Sequence, residues 1–67
     1  MKYIVLEIQT NADGSVGTLP YAFDDQNQAE SKYHQVLAAG AISELPMHSA
    51  ILITNDCTML KSDVYYH

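Results

Sequence analysis

Between Asp24 and Pro46 the sequence carries its one stripe of helical period, and on each side of it lie two stretches of period-two alternation. One helix covers one face of a four-stranded sheet and leaves the other face without a partner inside the chain. Residues 2–10 predict a first strand, with Ile4, Leu6 and Ile8 on one face and Tyr3, Val5, Glu7 and Gln9 on the other. Asn11-Ala12-Asp13-Gly14 has turn chemistry, because Asn and Gly tolerate positive φ. A second strand over 16–23 follows, with Leu19, Tyr21 and Phe23 alternating. Pro20 inside it has no amide donor, which places this strand at a sheet edge or gives it a bulge.

Asp24-Asp25-Gln26-Asn27-Gln28 reads as a helix start, capped by Asp25 with Gln28 or by Asn27 with Glu30. The helix is expected over about 25–42, with Ala29, Tyr33, Val36, Leu37 and Gly40 on the apolar stripe and Lys32 and Gln35 toward water. Pro46 limits its continuation. A third strand, His48 to Thr54, has Ile51 and Ile53 on one face and Ala50 and Leu52 on the other. Asn55-Asp56 makes a turn, and residues 58–66 form the last strand, with Lys61 and Asp63 opposite Leu60, Val64 and Tyr66. The fold class is α+β: a mainly antiparallel four-stranded sheet with one helix on one face, in the order ββαββ, spanning 1–67 as a single domain.

Strands one and three are apolar on both faces. The expected core sets Tyr33, Val36, Leu37 and Ile42 against Ile4, Leu6, Ile8 and Ile51 or Ile53. Tyr3, Val5 and Leu52 are then left over. Such residues either stand in water, as scattered apolar residues commonly do, or pack against another copy. A chain of 67 residues buries little of its unfolded surface. Its single cysteine permits no internal disulfide. Oligomerisation is the remaining common way to enlarge the core, so a homo-oligomer, a dimer above all, is expected with Tyr3, Val5 and Leu52 at its interface.

The net charge is −5, from eight acids against three lysines and no arginine. With no basic stripe, direct nucleic acid binding is not expected. No apolar run is long enough to span a membrane, the N-terminus reads as a strand rather than a signal peptide, and the lone cysteine fits the cytoplasm.

The chemical motifs are sparse. Asn11-x-Asp13-Gly14 resembles the middle of a calcium loop, but Gln9 and Pro20 stand where carboxylates belong. Glu30 and His34, one helical turn apart, supply only two metal ligands. Cys57 lies in a turn beside Asp56, whose charge disfavours a thiolate. No phosphate-binding glycine loop or nucleophile elbow occurs. No catalytic residue, metal ligand set or cofactor is therefore assigned. The surplus is in tyrosine, a residue with a large apolar body and a polar tip that suits interfaces. The candidate binding residues are Tyr33, His34, His48, Tyr65, Tyr66 and His67.

The opening MKYIVLEIQTNADG, the segments YHQVLAAGAIS and PMHSAILIT, and the ending YYH resemble short proteins of prophages and mobile elements in low-GC Gram-positive gut bacteria. The resemblance covers nearly the whole chain and marks kinship rather than activity. It implies a phage-related accessory protein in the bacterial host cytoplasm, with Tyr33, His34, His48, Tyr66 and His67 as the shared positions. The expected function is non-enzymatic: a homo-oligomeric module binding a host or phage protein, in one version an anti-defence inhibitor. Two alternatives are an oligomer that sequesters a small signalling molecule such as a nucleotide between subunits, and a minor virion or assembly component.

Overall fold

The computed structural model describes residues Met1–His67. Strands β1 (Tyr3–Thr10) and β2 (Val16–Phe23) form a hairpin, helix α1 (Gln26–Ala41) follows, and β3 (Met47–Thr54) and β4 (Met59–Tyr66) form a second hairpin. The sheet order is β2-β1-β3-β4, with every neighbouring pair antiparallel. β2 is an edge strand, as Pro20 requires. The other edge, β4, carries a register shift opposite Leu52 and Ile53.

Both hairpins close through five-residue turns of the same design. In the first, the Asn11 amide donates to Ser15 O at 2.9 Å and the Gly14 amide to Asn11 O at 3.0 Å, with Gly14 at φ 86°. In the second, the Thr54 amide donates to Thr58 O and the Cys57 amide to Thr54 O, both at 2.9 Å, with Cys57 at φ 68°. The carboxylates of Asp13 and Asp56 accept the Ser15 and Thr58 amides, so each turn is tied by an aspartate two residues before the returning strand's donor. Asp25 caps α1 by accepting the Gln28 amide at 3.1 Å, the first of the two expected boxes.

The covered face is the reverse of the expected one. Val5 and Leu52 are fully enclosed, and with Ala29, Tyr33, Val36 and Ala50 they form the core. Tyr3, Tyr21, Phe23 and Leu37 pack around it. Tyr3, Val5 and Leu52, expected at an intersubunit contact, thus lie on the helix side, and Val5 and Leu52 are at the centre of the core. Ile42, expected in the core, is 85% exposed at the helix C-cap. Lys32 does not simply face water; its ammonium lies 4.2 Å from the Tyr21 ring centroid.

The reason is topological. β2 and β3 both run antiparallel to β1, so they are parallel to each other and α1 is a crossover passing over β1. Crossovers between parallel strands are right-handed in about 98% of cases. Handedness sets the side of the sheet on which α1 lies; which alternate residues point to that side is set by the phase of each strand, and here it is the set with Val5, Ala50 and Leu52.

The opposite face is open. Register aligns Thr18, Ile8, Ser49 and Val64 in one row across it, and Pro20, Leu6, Ile51 and Ser62 in the next. Val16, Thr10, Met47 and Tyr66 close one end, and Ala22, Ile4, Ile53 and Met59 the other. Ile4, Leu6, Ile8, Ile51 and Ile53 are half-buried, screened only by their neighbours in the sheet.

Leu52→Ala should cost about 2–5 kcal/mol in urea unfolding, as for a large buried aliphatic cut to alanine. Ile42→Ala should fall within about 0.5 kcal/mol of wild type. A larger loss at Ile42 than at Leu52 would reverse the assignment of the covered face.

Candidate functional site

The strands bring a polar pair under the helix that the periodicity of β1 does not announce. Glu7 and His48 are both on the covered face and both buried. His48 Nε2 lies 2.7 Å from Glu7 Oε2, and Gln9 Nε2 donates to the same oxygen at 2.9 Å. His48 Nδ1 is buried with no hydrogen-bond partner. Directly above the ring sits Gly40, where a Cβ would stand 3.2 Å from His48 Cγ. Gly40 therefore gives the imidazole room rather than weakening the last helical turn to no purpose. His67 reaches the same place from the other strand end: its Nε2 donates to Gly40 O at 2.8 Å and its amide to Pro46 O at 2.9 Å.

This pair has the components of a proton-transfer dyad but no approach for a substrate. The side chains of His48 and Glu7 are only 5% and 11% exposed. A general base must stand within hydrogen-bond reach of a substrate proton, and here both groups reach each other beneath the helix. The pair acts as an internal tie between β1 and β3.

The candidate binding residues do not form one site. Tyr33 is in the core, and burial raises its phenol above the usual 10.0, with the Asp63 charge adding to the effect. His34 is exposed on the helix, its ring edge-on to Tyr33 at 5.5 Å. His48 is buried. Tyr65 faces the helix side opposite His48, and Tyr66 points to the open face at 71% exposure. His48 and His67 both meet Gly40, Tyr65 is the cross-strand neighbour of His48, and Tyr33 and His34 adjoin each other on the helix. No group of three or more His, Cys, Asp or Glu side chains is placed to hold a metal ion, and no helix is long and apolar enough to cross a membrane. Cys57 is exposed.

The surface charges pair locally. Lys61 of β4 bridges to Glu30 of α1, and Lys2 to Asp24. Each lysine holds its partner's carboxyl below the ordinary value, first through the hydrogen bond and then through its charge. Asp13 and Asp56 are lowered by the hydrogen bonds of their turns.

The one depression in the surface lies on the open face. It measures about 410 Å³ and is bordered by Ile8, Ser49, Ile51, Ser62, Asp63 and Val64 among others, so that its one charged neighbour is acidic and none is basic. Set against protein-family models, curated proteins and solved structures, the chain matches none.

Glu7→Leu alone should cost about 2 kcal/mol or more in urea unfolding, since it strands His48 in the interior. Adding His48→Leu should recover much of that loss, and additive losses would show that the pair is not coupled. A second outcome concerns alkaline pH. Because the folded state raises Tyr33 above its unfolded value, its contribution is fully present below about pH 10 and is lost as the pH climbs through the raised value. Tyr33→Phe should therefore flatten the fall in Tm between about pH 9 and 11. An unchanged slope would remove Tyr33 as its cause.

Proposed function

We propose that this chain is a non-enzymatic binding module, an accessory protein of phage or mobile-element origin, and that its working surface is the open face of the sheet. One observation carries the reading: none of the strand residues aligned across that face is charged, and most are branched aliphatics or methionine. Contiguous apolar surface beyond a few hundred Å² is rare on a soluble protein unless something binds there. Chemistry has no comparable support, since the one buried acid–base pair is sealed by the helix. In the anti-defence version, a host protein would meet this face in the bacterial cytoplasm.

A second reading, sequestration of a small molecule, draws on the depression around Ser49 and Ser62. With no basic group along its border, it suits an uncharged ligand better than a nucleotide phosphate.

Ser62 is exposed on the open face, so Ser62→Glu adds a charge there without opening the core. A host protein retained by immobilised wild type should be lost on Ser62→Glu and kept on Ile42→Glu, with both variants folded by circular dichroism. Equal retention by the two variants would move the working surface off this face.

A further inference from the structure

We infer that a second copy of this chain covers the open face, sheet packed on sheet, whenever no host protein holds it, so that the two compete for one surface, an inference that rests on this face being the binding surface. The first argument is area. Each strand is eight residues long, so the face is about 26 Å by about 19 Å at ordinary strand rise and spacing. That is roughly 500 Å² in projection, before side-chain relief is counted. Two such faces in contact bury on the order of 1,000 Å² or more, which reaches the range of a specific interface.

Charge placement is the second argument. Each copy carries −5, and two like-charged chains associate readily only where their charges are elsewhere. Glu7, Lys61 and Asp63, the charged residues within the strands, all lie on the helix side by register. The remaining acids sit in the turns, in the helix and its N-terminal approach, and in the loop after it. A partner that recognised this face by charge would find only Asp63, at the border of the depression. A flat, uncharged copy of the same face is complementary in size and polarity, and an isologous contact presents the same patch from both sides.

The third argument is the smallness of the protomer's own core. Val5 and Leu52 are its only large, fully enclosed side chains, while five isoleucines and leucines of the open face remain half-buried. Two aligned sheets stack about 10 Å apart with their inner side chains interdigitated, and this would enclose Leu6, Ile8 and Ile51.

Light scattering at tens of micromolar, with an apolar fluorescent dye as a second readout, tests the inference. Wild type should weigh twice the single-chain 7.4 kDa. Ser62→Glu puts two carboxylates into the contact and should raise the dissociation constant by about 100-fold or more; Ile42→Glu should leave it unchanged. Dye should bind the Ile42→Glu dimer weakly. A wild-type monomer that binds dye, with binding reduced by Ser62→Glu, overturns the second copy and leaves the face free for another partner. A wild-type monomer that binds no dye overturns both readings. A dimer indifferent to Ser62→Glu would place the contact elsewhere on the chain and overturn the inference.

Discussion

A helix is about 10 Å across, and a four-stranded sheet is nearly twice as wide. The rest of this structure follows from that mismatch. Even on its own side α1 covers only the middle strands fully, and the flanks have to be finished by side chains with an apolar stem and a polar end. Tyr3, Tyr21 and Phe23 lean against the core on the β1–β2 side, Lys32 lies over Tyr21, and Lys61 of β4 reaches up to Glu30. The covered face therefore holds the long amphipathic residues. The open face holds mostly compact aliphatics, with hydroxyls but no charge among them.

The Glu7–His48 pair belongs to the same logic. Because β1 and β3 are apolar on both faces, hydrophobic pattern alone distinguishes poorly between a correct register and one slipped by a residue. A one-residue slip of β1 against β3 would carry Glu7 to the open face and leave His48 buried without its partner, which is costly in a low-dielectric interior. The pair thus specifies alignment where greasiness does not, and Gly40 fits the helix closely over the result.

The elements, their order and the edge position of β2 were legible in the sequence, because each rests on a local signal: period two, period 3.6, the Asp25 cap and Pro20. The covered face was not. It was assigned by counting aliphatics, which favoured Ile4, Leu6 and Ile8, whereas the helix packs Ala29, Tyr33 and Val36 on the set with Val5, Ala50 and Leu52. One local signal did point the right way: Lys61 and Asp63 share the helix side of β4, where a narrow helix leaves a wet margin. The candidate binding residues were not chosen by face. Tyr33, His34, His48, Tyr65, Tyr66 and His67 were grouped by residue type and chain position, and register sends Tyr65 and Tyr66 to opposite faces.

The two edges of the sheet also differ from its open face in a way that bears on the cell. A free strand edge invites further strands and can lead to fibres. Here Pro20 breaks the row of donors along β2, and the register shift kinks β4. Both margins are thus interrupted, whereas the rows across the open face run unbroken from edge to edge. An interruption at each edge leaves no unbroken template along which a further strand could pair.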